Sequence, residues 1–519
     1  MSFFVAVLVA AMSGYIALSY EIVWYRAYAF VSQASPAAFG LLLGAYLLGI
    51  ALGSYVSGIF CKDSTGAFSP ASLRPIAFFV LVANLVSLLV VPGLAYYAVT
   101  TYAWKGGLWG VGLASGLLGA TFPLTAHFGI EPDERAGQRL SQLYVANILG
   151  SVAGSLVTGF WLFDILTIGG VTAAMAVLGV MLAAALYLSS KPSRVGAAVA
   201  VLGAVVLSSG VVRAQKPLHD LVYERLLWGM DQPKYGRFAE LVENRHGVIA
   251  VGQDGTVYGG GAYDGKFNTS LMHDRNFVVR GYAVAAMHPS PKQVLMIGLA
   301  SGSWAQVVAN MPSLDELTII EINPGYLELI EKHPEVRTLL KHPKVKIVID
   351  DGRRWLMRHP DRTFDFIVMN TTFHYRAHAT NLLSKEFLEH ARTHLAGSGV
   401  LYYNTTSSGD VFKTGITVFP HALRVMNLLA VSDSPIVLDK TRWEPALRAW
   451  RIDGQPVLDG SPAAEKRLLE ILSLADTLDK PVGEDGLESR DSMLKSFAND
   501  RVITDDNMMS EWWSPHAPH

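Results

Sequence analysis

The chain has a single cysteine, Cys61, in 519 residues. An intrachain disulfide is therefore impossible, and a cysteine-based metal site is disfavoured. Charge is scarce as well. Asp, Glu, Lys and Arg make up 17% of the residues, and 51% are hydrophobic, whereas soluble proteins carry roughly 25% charged residues. The formal net charge of -2 offers no cationic excess for nucleic acid, so no nucleic-acid partner is expected. No Lys or Arg precedes the first apolar run, so the basic region of a cleaved signal peptide is missing and the run reads as a retained helix. His374 and His378 have H-x-x-x-H spacing, but Arg376 lies between them and no third ligand is evident. No metal is expected.

What is present divides the chain in two. A bilayer core of about 30 Å takes roughly 20 apolar residues in a helix. That ruler finds about seven candidates: Phe3–Phe30, Ala37–Phe60, Ile76–Ala103, Leu108–Ile130, Leu140–Leu162, Gly169–Leu188 and Val195–Val212. Residues 1–213 thus read as a transmembrane helical domain with the lipid bilayer as partner, its boundary near Arg213–Lys216. Gly40/Gly44, Gly49/Gly53, Gly112/Gly116 and Gly150/Gly154 are spaced to let helix backbones approach closely. Glu21 in "SYEIVWYR" is an ionisable group deep in an apolar run. It reads either as half of a pair with Arg26 or as a substrate or headgroup contact. His127 in "GATFPLTAHFG" has the same two readings.

The loop charges give Lys62, Arg74, Arg135, Arg139, Lys191 and Arg194 on one side and Lys105, Arg213 and Lys216 on the other. Taken alone, the positive-inside rule puts the second half of the chain outside the cell. The chemistry argued below uses a cytosolic metabolite and favours a cytosolic second half.

From Lys216 to Met287 the pattern is that of short strands, and 214–287 reads as a small antiparallel β domain. Turn signals fall at Asn244–Gly247, Asp254–Gly255 and Asp264–Gly265,. After His288, five short apolar runs alternate with helical stretches: "KQVLMIG", "ELTIIEINP", "VKIVIDDGRRWLMR", "FDFIVMN" and "GVLYYNTT". This argues for a doubly wound α/β domain over 288–519, with a helical "AAEKRLLEILSLAD" in its C-terminal extension. Ligands of such sheets bind beyond the carboxyl ends of the strands. Gly298, Ser301 and Gly302 form the first loop, where glycine lets backbone approach a ligand. Glu321 ends the second strand, about 20 residues on, where a carboxylate grips ribose hydroxyls. Asp350 and Asp351 end the third, where an acid can accept from an adenine amino group.

The order of "YDGKFNTS", "HPSPKQVLMIGLASG", "IIEINP", "IDDGRRWL", "LLSKEFLEHARTHLAGSGVLYYN" and "ITDDNMMSEW" resembles the spermidine synthases, or polyamine aminopropyltransferases. With "SYEIVWYR" and "GATFPLTAHFG" it looks more closely like the bacterial membrane-bound spermidine synthase-like proteins, and the resemblance covers the whole chain. It implies a multi-domain protein: a transmembrane helical bundle, a small β domain and a Rossmann, class I methyltransferase-like domain. It implies a multi-pass protein of the bacterial inner (cytoplasmic) membrane, decarboxylated S-adenosylmethionine as substrate, and methylthioadenosine as product. It assigns Glu321 to the ribose and Asp351 to the adenine. Asn268 falls where the family usually has a glutamine that contacts the transferred chain or the amine.

The resemblance breaks at the end of the fourth strand. The family pattern there is D-S-x-D-P, whose first Asp helps deprotonate the attacking amine. This chain has Asn370, Thr371, Thr372, Phe373 and His374. The family's Y-H-E or Y-Q-E segment is replaced by "HDRNFVVRGYA", with Arg280 and no matching Glu. Asparagine cannot take a proton at ordinary pH. A loop carrying Tyr375, Arg376 and two histidines suits an anion or carboxylate better than a polycation. The expected site therefore has Asn370, His374, Tyr375 and Arg376 at its reacting end. His374 is either a base or a loop-fixing residue, and Arg376 either a carboxylate contact or a surface ion pair. Asn381 and Ser384 read as caps of the helix that follows.

Two reactions fit. One transfers an aminopropyl or aminocarboxypropyl group to an amine or lipid-borne acceptor. The other takes intact S-adenosylmethionine, whose carboxylate the decarboxylated form lacks: that carboxylate attacks the γ-carbon, a lyase reaction that yields a lactone and methylthioadenosine. A non-catalytic nucleotide sensor or transporter and an S-adenosylmethionine-dependent methyltransferase are the competing readings. A homo-oligomer is compatible with all of them.

Overall fold

The computed structural model describes residues 2–61, 73–101, 104–370, 373–480, 486–507 and 511. Lys62, Thr371 and Thr372 lie outside them. The chain divides into two units, one holding 1–238 and 243–248, the other 239–242 and 249 onward.

Among its described residues the first unit holds seven helical spans long and apolar enough to cross a membrane: Phe3–Val31, Pro36–Cys61, Leu73–Thr100, Trp104–Gly129, Ala136–Ile165, Ile168–Ser189 and Arg194–Tyr235. Polar caps mark where the apolar runs stop. Thr167 accepts from Gly170 N at 3.2 Å and Ser193 from Gly196 N at 3.1 Å, satisfying first-turn donors. Large apolar side chains point outward, among them Leu48, Trp109, Phe160, Trp161 and Leu202. A helical bundle built for water buries such residues on its inner faces.

The paired glycines differ among themselves. A Cβ on Gly49 or Gly53 would strike the backbone of Gly112 or Gly116, and one on Gly150 or Gly154 the backbone of Ala11 or Tyr15. Gly40 and Gly44 have nothing within 4 Å of that position, so their spacing serves no packing within the described residues. Overpacking a tight contact costs typically 1–3 kcal/mol. Gly150→Leu is therefore expected to lower the melting temperature in detergent, and Gly44→Leu to leave it nearly unchanged. Equal effects at the two sites would refute this packing assignment.

Glu21 makes no ion pair with Arg26 among the described residues, which corrects that reading. Arg26 instead lies 3.5 Å from the centre of the Phe163 ring and donates to Asn244 O at 2.5 Å. Beside it Glu243 accepts from Ile168 N at 2.9 Å and from the Tyr223 hydroxyl at 2.8 Å. The cation thus meets a carbonyl and a π face rather than its neighbour in sequence,.

The reading of strands from Lys216 onward is also corrected. Lys216 lies in the helix Arg194–His219, so the expected boundary at 213 falls inside a helix. A second helix, Val222–Trp228, follows and buries Val222, Tyr223 and Leu226 at helical spacing,. The first strand begins only at Glu240.

A four-stranded sheet follows in the order β1 (Glu240–Asn244), β2 (Gly247–Val251), β3 (Thr256–Gly259), β4 (Ala262–Lys266). The β3–β4 turn is Gly260–Gly261, both at positive φ, as a tight hairpin turn of matching twist requires. Asp264–Gly265 is therefore not a turn. It lies within β4 where the register slips by one residue, a bulge that Gly265 accommodates at φ +105°,.

The large sheet has eight strands. Five are parallel in the order β9 (Leu395–Asn404), β8 (Phe364–Met369), β5 (Gln293–Ile297), β6 (Glu316–Glu321), β7 (Val345–Ile349). Antiparallel β11 (Leu428–Ser432), β10 (His421–Val425) and β14 (Leu487–Ser489) extend it beyond β9. A two-residue ribbon, β12 (Arg451–Ile452) with β13 (Gln455–Pro456), stands apart. The chain runs from β5 to β6 and β7 on one side, then returns to β8 and β9 on the other. The strand order therefore reverses beside β5, where an open α/β sheet takes its ligand. The C-terminal extension packs on this layer. Fully buried Trp443 and Trp450 donate to Tyr282 O at 3.0 Å and Val307 O at 3.1 Å.

Candidate active site

The loop after β5 turns on three residues at positive φ, Gly298, Ala300 and Gly302. A Cβ on Gly298 would lie 3.4 Å from the Asn370 carbonyl, so the ends of β5 and β8 meet across a glycine. Glu321 fixes this loop. Its two carboxylate oxygens accept from Leu299 N and Asn323 N, each at 2.8 Å. The carboxyl is almost completely buried. Burial pushes it up to about 7, against the two backbone donors and with a contribution from nearby Asp264,. Asp264 is pushed up to about 6, chiefly by desolvation. The Tyr326 hydroxyl, which donates to it, and the charge of Arg376 act in the opposite direction. Both acids therefore titrate near neutrality.

Asp350 pairs with Arg354, whose guanidinium holds the carboxyl low, while Asp351 caps the helix Gly352–Arg358 by accepting from Arg354 N at 2.8 Å. One oxygen of Asp351 is thus committed to the fold. Asn268 is committed to its own loop. It donates to His273 O at 3.0 Å and accepts from Ser270 N at 3.1 Å.

A cavity of about 440 Å³ opens at the carboxyl ends of β5, β8 and β9, a size that accepts a small ligand. Of the expected site residues, Ser301 and Asn370 line it. Among the described residues, Glu321, Asp350, Asp351, Asn268, His374, Tyr375 and Arg376 do not. Sequence reading missed most of the polar wall: Asp264, Arg275, Asn404 and Asn427. Asp264 carries an ordinary turn signature, and the others have no motif of their own. Arg280, noted only for replacing an acid, is at the wall. It donates to Asn276 O at 3.1 Å, Phe277 O at 3.0 Å and the Asn427 side-chain oxygen, and lies 5.4 Å from the Trp304 ring centre. With its oxygen so used, Asn427 turns its amide nitrogen to Asn404 Oδ1 at 2.9 Å,. Thr406, Ser407 and Met426, also at the wall, all hold positive φ. For a β-branched Thr this is a costly conformation of the sort found at functional sites.

Asn370 and Phe373 of the loop after β8 line the cavity, and the loop's His374, Tyr375 and Arg376 do not. His374 is buried, and its Nδ1 is 2.6 Å from Thr406 Oγ1, so it meets the cavity through a hydroxyl. Tyr375 stacks on Phe373. The Arg376 guanidinium approaches Gly260, with Nη2 2.7 Å from where a Cβ would sit, and its charge acts on Asp264. Glu511 holds the loop by accepting from His378 N at 3.1 Å and from Thr380 N at 3.0 Å, and from the Thr380 hydroxyl. Ser384 caps the next helix by accepting from Phe387 N at 3.2 Å. Asn381 does not cap it: it lies in the short turn Ala379–Leu382, where its carbonyl accepts from Arg353.

Residues 282–410 match the family model of the spermine/spermidine synthase domain. The polyamine aminopropyltransferase of Streptococcus pneumoniae is 32% identical over 175 residues, 34% of this chain and 53% of that protein. The enzyme of the same name from Pyrobaculum arsenaticum is 25% identical over 210 residues, 39% of this chain and 66% of that protein. The chain thus spans about half the length of the first of these and somewhat more of the second. Among solved structures, a spermidine synthase in complex with the transition state analogue AdoDATO aligns with TM-score 0.33 and 17% identity. That alignment covers 45% of this chain and 88% of the other. Spermidine synthase from Thermotoga maritima aligns with TM-score 0.32 and 17% identity, over 43% of this chain and 84% of the other. Carried behind seven long apolar helices, residues 282–410 are a spermine/spermidine synthase domain, homologous to part of the polyamine aminopropyltransferases.

Proposed function

We propose that this chain is a membrane-embedded, spermidine synthase-like enzyme that binds S-adenosylmethionine or its decarboxylated form and releases methylthioadenosine. The observation that carries the reading is the contrast between the two ends of the site. The β5 loop, Glu321 and Asp351 form a nucleoside-binding set. Among the described residues, the cavity beside it is lined by two arginines, four asparagine amides and one acid, Asp264. A polycationic acceptor is repelled by such a wall, which argues against ordinary polyamine synthesis.

In this reading Glu321 accepts from the ribose hydroxyls, and the free oxygen of Asp351 accepts from the adenine amino group. The carbon next to sulfonium faces the cavity. A nucleophile bonds to that carbon, the carbon–sulfur bond breaks, and its electron pair leaves on neutral methylthioadenosine. If the nucleophile is an external amine, its proton has to leave. The available route runs from the Thr406 hydroxyl to His374, since Asn370 takes none. If the nucleophile is the substrate's own carboxylate, a lactone forms and no proton moves. Holding the carboxylate in line then supplies most of the acceleration. In this reading the enzyme is held in the inner membrane, with its catalytic unit in the cytosol where the substrate is made; the seven long apolar helices support a membrane-spanning region.

The test is mass spectrometry of small molecules after the detergent-purified chain, with native lipid, is incubated with each sulfonium, with and without putrescine. Methylthioadenosine is the expected product, and its companion names the reaction: lactone, polyamine or modified lipid. S-adenosylhomocysteine would indicate a methyltransferase. Binding without turnover would indicate a sensor or transporter.

A further inference from the structure

Arg280 stands in the cavity wall on the segment that leads into the Rossmann layer, three residues after Phe277 and within one turn of buried Tyr282. Its guanidinium has five N–H donors. Three are met among the described residues: by the carbonyls of Phe277 and Asn276 and by the Asn427 side chain. The ring of Trp304 backs the guanidinium plane. The fork is therefore held from several sides before any ligand arrives, with two donors left over. A cation so fixed loses little freedom when it binds a planar, bidentate anion. Arg275 adds a second positive charge to the same wall, and the only acid among the described residues there, Asp264, is engaged by Tyr326. Ser301 of the nucleoside loop and Asn370 border the same cavity. A chain extending from a sulfonium at the β5 loop thus enters the space that Arg280 faces.

We infer that Arg280, oriented by Asn427, binds the carboxylate of an aminocarboxypropyl chain, so that this site selects intact S-adenosylmethionine over the decarboxylated form. The inference rests on the adenosyl-binding reading above and goes beyond it by naming the substrate class. It also moves the carboxylate contact from Arg376, whose guanidinium approaches Gly260 and acts on Asp264, to a residue of the cavity wall.

Three unreactive thioethers test it: S-adenosylhomocysteine, its decarboxylated analogue, and methylthioadenosine. The first two differ only in the carboxylate, and the third lacks the whole arm. Affinities are measured by calorimetry on the full chain in detergent. A charge-assisted, bidentate contact is worth about ten- to hundredfold in affinity. The wild-type chain is expected to prefer S-adenosylhomocysteine over its decarboxylated analogue by that factor. Arg280→Gln should bring the ratio to about one while leaving methylthioadenosine binding unchanged. Arg280→Lys, which keeps charge but not the fork, should fall between. Asn427→Ala removes one of the three hydrogen-bond partners that orient the arginine, and should also lower the ratio.

Equal affinity for the two analogues in the wild type would overturn the inference. So would a ratio that survives Arg280→Gln. Either failure, with methylthioadenosine still bound, leaves the adenosyl site standing. Failure of all three to bind removes both readings. Unchanged methylthioadenosine affinity in the variants also shows that the domain is folded, so a lost ratio cannot be assigned to unfolding.

Discussion

Glu321→Ala is expected to weaken adenosyl ligands at least about hundredfold, as read by calorimetry with methylthioadenosine. Two ribose hydroxyls would lose a charged acceptor, each such bond being worth roughly 1.5–3 kcal/mol. Leu299 N and Asn323 N would also lose their buried partner, so the β5 loop would loosen.

The same residue sets a pH dependence in the wild type. Its folded-state value is raised to about 7 from 4.5, so ionisation is disfavoured in the folded chain. The stability tied to the protonated form is fully present below about 4.5 and is lost as pH rises through about 7, a change of roughly 3 kcal/mol. Ligand hydroxyls favour the ionised form, so binding should do the opposite and strengthen as pH rises through about 7, with proton release on binding just below it. Asp264, near 6, adds a shoulder at lower pH. Both trends should flatten around pH 7 in Glu321→Ala. Wild-type affinity in that variant would remove Glu321 from the site.

Glu511→Ala is expected to release the loop that carries His374, Tyr375 and Arg376. Three donors, His378 N, Thr380 N and the Thr380 hydroxyl, converge on this one buried carboxylate. Leaving a buried donor unmet costs about 1–3 kcal/mol. The loss is therefore large enough to populate an open loop without unfolding the sheet, whose core lies elsewhere. Hydrogen exchange at residues 373–380 should speed up by orders of magnitude, and turnover should fall while methylthioadenosine affinity holds. Unchanged exchange would show that the loop is held by other contacts.

The large features of this chain follow from sequence alone because each rests on a local periodicity. Seven apolar runs are long enough as helices to cross a bilayer,, and a parallel strand buried on both faces reads as a short apolar run, as Val294–Ile297 does,. The spacing from Gly298 to Glu321 to Asp351 places one residue at each of three consecutive strand ends, and in the structure each stands there.

Contacts across sequence are not. Whether a glycine pair packs depends on which helix lies opposite, so Gly150/Gly154 and Gly40/Gly44 look alike in sequence and differ in space. Glu21 and Arg26 are neighbours on paper, but Arg26 finds Asn244 and Phe163. A bulge at Gly265 turns an apparent turn residue, Asp264, into the acid of the cavity. Arg280 and Asn427 stand 147 residues apart and meet only because β10 and β11 extend the sheet beyond β9. Sequence thus determined the elements and which residues stand at the strand ends. Tertiary structure decided which charges face the cavity, because side-chain placement is set by long-range packing that no local pattern encodes.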